Sequence, residues 1–572
     1  MRRITRVILV MVVLAVVWAL FFARRGPDVE PGSVLVLDIQ GQYVEAPEPP
    51  LLARLLAGEP RTPLLRLYSE LRKAERDSRL HAVVLRIRPV QMGWGKAQDV
   101  RDAIARLRQA GRRTVAYVEV EPLGANIEYY IASAAEKVYV APGTRIPFVG
   151  LAAEYLFLGG LWDKAGVDLE VERVGPHKTA ADFLAGREMS EANREMGNWL
   201  LDSIEEQFIG GIAAARGMEP AALRAVMDAG PAAPDDLVEA GLVDGAAFMS
   251  DILKELGEER PVIEGEQWAQ VDPASVGFAP VARVALVYGS GNVVTGEAER
   301  TRSGSPVLAG TTVSKALEDA AADESVDAIL FRVDSPGGSA LASDLVWHAT
   351  QQARRKKPVV VSFSDVAASG GYYVACGADA IVAQPGTITG SIGVLMIRPV
   401  IERLYEKLGI GFEVLTRGAH AHLFSTSRPL DPAERKVLAD EVERTYQLFL
   451  DRVVAGREIE RAQLDAVARG RVWTGAQAAE RGLVDTLGGL HGAVGRIREA
   501  LKLAPDADVE LVVYPPPKPL AEDLREMLQG ALVQAAQPPL PLPQPLRRLV
   551  AWLETLPAGA PALLPPLVVE IR

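Results

Sequence analysis

Ser369 stands at the head of SGGYY, directly after the apolar run VVVSFSDVAA, where a strand must give way to a helix. A small hydroxyl on such an elbow, followed by two glycines, resembles the turns that present a serine nucleophile to a carbonyl. A second glycine pair, Gly337 and Gly338, closes the run RVDSPGG. Lacking Cβ atoms, it can bring backbone N–H groups close to a ligand. With the N–H of Gly370 it could complete an oxyanion hole for a tetrahedral intermediate. Taken singly, SPGGS also fits an ordinary type II turn and ASGGY a close helix–sheet contact. A serine nucleophile needs a base, and residues 362–393 contain no histidine.

The base emerges from an internal repeat. HAVVLRIRPV from His81 aligns with DAILFRVDSPGG from Asp327, with Arg86 on Arg332 at an offset of 246. YYIASAAEKVYVAPGT from Tyr129 aligns with YYVACGADAIVAQPGT from Tyr372 at 243, and AGLVDG with RGLVDT, Gly241 on Gly482, at 241. Three segments in one order at nearly one spacing mark duplication of a unit of roughly 200 residues. The 243 offset puts Asn126 opposite Ser369, and RIRPVQMGW has no counterpart of the Gly337-Gly338 pair. Conversely Lys178, in VERVGPHKTAADF, falls on Ala421. Each copy thus holds half of a nucleophile–base pair, which meets if the copies pack about an approximate symmetry. A free lysine titrates at about 10.4, so it acts as a base near neutrality only if burial depresses it by roughly 2 to 3 units. A hydroxyl bonded to the neutral amine would orient it, and Ser391 in TGSIG is placed in the sequence to do so.

The elements that must position these residues repeat as well. In each copy a helix (64–77; 312–323) precedes an apolar strand (82–87; 327–333), another helix, a second strand (113–120; 357–363), the Tyr-Tyr helix and a short strand. Short β-branched runs alternating with helices predict parallel βαβ units, an α/β fold in two tandem copies. A long helix follows in each. Asp431, Pro432 and Glu434 supply an N-cap, a first-turn proline and a capping-box partner, and Ser190 takes the capping place in the first copy. The copies are read as 32–256 and 281–512, joined by 257–280. From 513 to 572 the chain turns to VYPPPKPL and QPPLPLPQP, which predicts an extended connector with short helices at 520–535 and 546–555, or a disordered tail.

With 49% hydrophobic and 24% charged content over 572 residues, the chain holds enough apolar material for two or three cores. A formal net charge of −12, with no basic run interleaved with aromatics, sets nucleic acid aside as a partner. The single cysteine, Cys376, excludes an intrachain disulfide and a cysteine-based metal site, the histidines form no HExxH, and the chemistry calls for no cofactor. Val7 to Ala23 is uninterrupted apolar sequence, with Arg2, Arg3 and Arg6 before it and Arg24 and Arg25 after it. It reads as an uncleaved transmembrane helix in contact with membrane lipid, with residues 1–6 as a basic cytoplasmic segment and the bulk of the chain exported.

With GPHK, SPGGS, ASGGYY and TGSIG in that order on a duplicated chain, the sequence resembles the long form of the signal peptide peptidase A (protease IV) family over roughly residues 32–512. The resemblance implies tandem ClpP/crotonase-like domains and a serine endopeptidase with a Ser/Lys dyad split between the repeats. It implies Ser369 as nucleophile, Lys178 as general base, Ser391 as the hydroxyl that orients the lysine, and Gly370 with Gly338 or Gly337 as oxyanion donors. It further implies apolar peptide substrates such as cleaved signal peptides and assembly as a homotetramer. The location implied is the bacterial inner membrane, with the catalytic part on the periplasmic side. Residues such as Leu395, Met396 and Ile397 would line the substrate groove.

Other readings stay open on the residues alone. A Ser/His/Asp hydrolase on the same fold would use His348 or His420 as base. A crotonase-type acyl-CoA enzyme would need the glycine-rich hole but not Ser369, and lacks a basic patch for the CoA phosphates. An inactive membrane scaffold would leave Ser369 unreactive.

Overall fold

The apolar runs of the two repeats become the centres of two parallel sheets. A computed structural model describes residues 27–46, 61–121, 125–297 and 306–516, together with two short strands, Ala562–Leu563 and Glu570–Ile571. The expected membrane segment at 7–23 and the expected helices at 520–535 and 546–555 lie outside the described residues. Among the described residues no helix is long and apolar enough to cross a membrane.

In the first sheet Ser33–Val44 is followed across by Leu80–Gln91, Arg113–Val118, Lys137–Val140 and Gly245–Ala246, with Val262–Glu264 on its other side, all parallel. The second sheet repeats that order with Val509–Tyr514, Ala282–Ser290, Ala328–Ser335, Val359–Ala368, Ala380–Ala383 and Thr486–Leu487. Even the register is repeated. Arg86, Tyr117, Tyr139 and Gly245 lie side by side in one sheet, and Arg332, Ser362, Val382 and Thr486 in the other. Helices cover both faces, so these strands are apolar at nearly every position rather than at alternate ones.

Contacts in each copy explain why the sequence repeats where it does. Tyr129 Oη donates to the Leu242 carbonyl at 2.6 Å and Tyr372 Oη to that of Leu483 at 2.9 Å. Asp244 accepts from the Val138 N–H and Asp485 from that of Ile381. The Tyr-Tyr and GLVD motifs are thus two ends of one tether across about 110 residues of chain. Both long helices, Glu191–Arg216 and Pro432–Arg457, begin at the expected caps. Ser190 accepts from the Asn193 N–H, and Asp431 forms a full capping box with Glu434.

The span 257–280, read from the sequence as a connection, holds Val262–Glu264, which pairs with Ser33–Val44 and takes the place that Val509–Tyr514 takes in the second sheet. The first sheet therefore continues past residue 256. Three residues bounded by Pro261 and Gly265 are too short a run to read as a strand from periodicity.

The copies are stitched together by a further sheet. Asp168–Arg173 of the first copy pairs antiparallel with Leu395–Val400 of the second over six residue pairs, from Leu395–Arg173 to Val400–Asp168. In the same sheet Ala562–Leu563 runs antiparallel to both Gly338–Ser339 and Leu395, filling the slot between them.

Candidate active site

Ser369 closes the strand Val359–Ala368 and opens the helical turn Gly370–Tyr373 with φ 56° and ψ −114°. A side chain in this region is strained, and the strain is held by its surroundings: the Ser369 N–H donates to the Gly390 carbonyl at 2.8 Å, and Gly371 lies too close to the Ser335 carbonyl to carry a Cβ. Ser391 also has positive φ, at 52°, and its N–H donates to the Arg471 carbonyl at 2.7 Å. Both hydroxyls are fully buried.

Lys178 follows the strand Asp168–Arg173, whose pairing with Leu395–Val400 carries it from its own copy into the other. Its Nζ lies 2.7 Å from Ser369 Oγ, 2.8 Å from the Ser391 carbonyl oxygen and 2.9 Å from Ser391 Oγ. The side chain is entirely buried, and none of its three partners is a carboxylate. Burial alone therefore pushes the ammonium pKa well below the ordinary lysine value. This set of partners suits a neutral amine: two N–H groups donate to the Ser391 oxygens, and the nitrogen lone pair faces the Ser369 hydroxyl.

The oxyanion residues predicted from the sequence also converge on Ser369. A Cβ built on Gly370 would lie 3.0 Å from the Gly338 nitrogen and 3.1 Å from Gly337 Cα, so the elbow and the SPGG loop are in direct contact. Gly338 has φ 155° and passes so close to the Val293 carbonyl that no side chain fits. Of the two loop glycines, Gly337 already donates its N–H to Ser335 Oγ at 3.2 Å.

Two glycines that shape the site escaped the sequence reading. Gly470, with φ +83°, would place a Cβ 2.5 Å from the Lys178 nitrogen, and one on Gly393 would sit 3.3 Å from Lys178 Cδ. These glycines let the lysine backbone and stem through. Their signal is spatial, since Gly470 lies almost 300 residues from its neighbour along the chain. The two histidines considered as bases stand elsewhere: His348 bonds with Gln352 on an exposed helix face, and His420 is exposed on a turn. His177, next to Lys178 in the chain, is taken up by Arg471 and Glu195.

Ser391→Ala keeps the carbonyl contact to Lys178 but deletes one of its three hydrogen bonds, a bond to a group that would gain charge with Lys178 as the base. We expect kcat to fall about 10- to 100-fold, the worth of roughly 1.5–3 kcal/mol. KM for a peptide ester should be nearly unchanged, and steady-state kinetics decide the point.

A strained serine at the end of one parallel sheet thus meets a buried lysine from the other copy of a duplicated α/β fold, and comparison with known proteins makes that fold a serine-type peptidase. The model for Peptidase family S49 matches twice, over residues 106–262 and 351–504. The chain is 33% identical over 531 residues to "Serine protease SPPA, chloroplastic" of Arabidopsis thaliana, covering 91% of this chain and 77% of that one. It is 29% identical over 463 residues to Protease 4 of Haemophilus influenzae, covering 77% and 73% respectively. The chain belongs to peptidase family S49, the signal peptide peptidase A (protease IV) family. Among solved structures, ClpP1 of Listeria monocytogenes is similar to 36% of this chain and 94% of its own, at 15% identity and a TM-score of 0.24.

Proposed function

We propose that this protein is an endopeptidase in which Ser369 is the nucleophile and Lys178 the general base, a dyad contributed by the two copies of one chain. The observation that carries the reading is the 2.7 Å contact between a fully buried Lys178 Nζ and Ser369 Oγ, with no carboxylate among the lysine's partners. Neutral Lys178 takes the hydroxyl proton as Ser369 Oγ attacks the scissile carbonyl. The N–H groups of Gly370 and Gly338 receive the developing oxyanion. The lysine ammonium then protonates the leaving amine as the C–N bond breaks. Lys178, neutral again, takes a proton from the water molecule that attacks the acyl-enzyme and returns it to Ser369 Oγ as the acyl C–O bond breaks.

The slot between Gly338–Ser339 and Leu395–Val400, which accommodates an extended backbone at Ala562–Leu563, supports an extended peptide as substrate. A peptide entering as a strand gains main-chain hydrogen bonds on both sides, with Leu395 and Met396 supplying buried apolar wall. Apolar peptides, cleaved signal peptides among them, are the substrates that suit it. We read the two sheets as ClpP/crotonase-like domains. The apolar run at 7–23 is proposed as the anchor in the bacterial inner membrane, with the catalytic part outside the cytoplasm. Exposed Leu408, Ile410, Phe412, Leu415 and Phe424 support self-association, proposed as a tetramer.

Intact mass after exposure to a fluorophosphonate tests the core of this reading. Wild type should gain one phosphonyl group mapping to the peptide that holds Ser369, and Ser369→Ala should gain none. An unmodified wild type, or an adduct that persists in Ser369→Ala, would overturn the assignment.

A further inference from the structure

Another buried lysine, Lys96, meets the nucleophile strand at Asp365, and nothing in the proposed reaction uses it. It belongs to the first copy, in the helix Trp94–Gln109. Its Nζ contacts Asp334 Oδ2 and Asp365 Oδ2 of the second copy, each at 2.6 Å. Burial works against this ammonium as it does for Lys178, but Asp334, Asp365 and Glu45 more than offset it, and Lys96 is held charged. Lys96 and Lys178 are driven in opposite directions by the presence or absence of carboxylates.

The location of the two aspartates gives the contact its meaning. Asp334 precedes the SPGG loop by one residue, and Asp365 precedes Ser369 by four. Their strands pair regularly as far as Val333–Phe363, and pairing resumes only at Ser335–Ala367. Across that interruption one residue, Asp334, faces three, Ser364 to Val366. A bulge of this kind disrupts the ladder locally and bends the strand, so the spacing of the two strand ends is no longer set by ladder hydrogen bonds alone. It also sets two carboxylates against each other, where they would repel.

Lys96 closes this gap. Asp365 is gripped further by the N–H groups of Gly93 and Lys96, at 2.9 and 2.8 Å, while Asp334 Oδ1 accepts from the Val366 N–H at 3.1 Å. The helix end is pressed onto the bulge: a Cβ on Gly93 would lie 2.6 Å from Asp365 Cγ, and one on Gly95 2.5 Å from the Ser364 carbonyl oxygen. The offset of 246 makes this helix the duplicate of Ala340–Arg354, which follows the SPGG loop. The first copy lacks the glycine pair, and the helix behind that position presses on Asp334, beside the glycine pair of the second copy, and on Asp365.

We propose that Lys96 is a positioning residue for peptide hydrolysis, an ionic clamp from the first copy that fixes the distance between the Ser369 strand and the oxyanion loop. This rests on the reading of Ser369 and Lys178 given above. The clamp touches no substrate, so its loss acts on the alignment of nucleophile and oxyanion donors, where about 1 Å of misplacement lowers the rate about 100-fold.

The test is steady-state hydrolysis of an apolar peptide p-nitroanilide by the full chain, with thermal unfolding run in parallel, for wild type, Lys96→Met and Lys96→Met/Asp334→Asn. The double variant removes one of the two carboxylates that Lys96→Met leaves without their lysine, while Asp365 keeps the backbone N–H groups of residues 93 and 96, and so restores stability without restoring the clamp. We expect kcat to fall about 100-fold in Lys96→Met, with KM within about threefold of wild type. We expect it to stay at least about 30-fold down in the double variant, whose thermal midpoint recovers. If Lys96→Met does not fold, the double variant alone decides. A double variant that regains both its midpoint and a kcat within about threefold of wild type would show that Lys96 only stabilises, and would sink the proposal. Fluorophosphonate labelling of the same wild-type preparation separates the two claims. No adduct at Ser369 defeats the reading of the site, whereas a normal adduct with undiminished kcat in Lys96→Met defeats the clamp alone.

Discussion

Lys178→Met lowers kcat on the order of 10³- to 10⁴-fold and abolishes the alkaline rise of the wild-type pH–rate profile. The magnitude is that of losing a general base whose removal leaves the oxyanion donors and the binding groove in place. The shape follows from the sign of the pKa shift. Only the neutral amine can accept the Ser369 proton, so the wild-type rate climbs as pH rises through the depressed pKa of Lys178 and then levels off. Methionine fills a similar volume and has nothing to titrate. The same shift leaves a mark on stability. Between the depressed folded pKa and the ordinary unfolded one, about 10.4, the unfolded chain holds a proton that the folded chain lacks. Wild type is therefore penalised at low pH and gains stability as pH rises across that window, whereas the variant does not. The difference in thermal midpoint, wild type minus Lys178→Met, should grow with pH up to the ordinary lysine value. A difference that is flat with pH would mean the lysine is charged in the folded protein, and the base would have to be sought elsewhere.

Ser369 and Lys178 were legible by different routes. The serine announced itself locally, as a strand broken by Ser-Gly-Gly, and the structure has the strained φ that such a break demands. The lysine had no local signal and became visible only because a duplicated chain offers its own comparison: what one copy lost, the other kept. The duplication also explains why the sheets were legible in outline, since a parallel strand covered on both faces is written as a short continuous apolar run. What escaped was settled by contacts between distant parts of the chain. Val262–Glu264 is a strand because Ser33–Val44 offers it an edge, not because of its own three residues. Lys96 looks like any helical lysine until its carboxylates, 238 and 269 positions away, are brought to it. Gly470 looks like an ordinary loop glycine until the Lys178 backbone is laid against it.

Gly370→Ala tests whether the elbow and the SPGG loop act as one unit. The added methyl would arrive 2.7 Å from Ser343 Oγ, 3.0 Å from the Gly338 nitrogen and 3.1 Å from Gly337 Cα. Ser343 cannot simply swing away, because its Oγ is held on the Ser339 carbonyl at 2.8 Å within the helix that follows the loop. The methyl must therefore part the two backbones that supply the oxyanion donors. Losing the alignment of one such donor costs about 10²- to 10³-fold in kcat, and that is the fall expected here, with little change in KM. Ser343→Ala in the same chain relieves the closest of the three contacts but leaves the Gly338 nitrogen where it is. It should restore less than about tenfold. If instead Ser343→Ala brings Gly370→Ala back to wild-type kcat, the methyl was only displacing a side chain, and the Gly338 N–H is not the second donor. Phosphonylation rates provide an independent check, because the phosphonyl oxygen occupies the oxyanion position. A hole that has been pried open should slow adduct formation at Ser369 in step with kcat, whereas a defect confined to substrate binding would leave the rate with a small fluorophosphonate untouched.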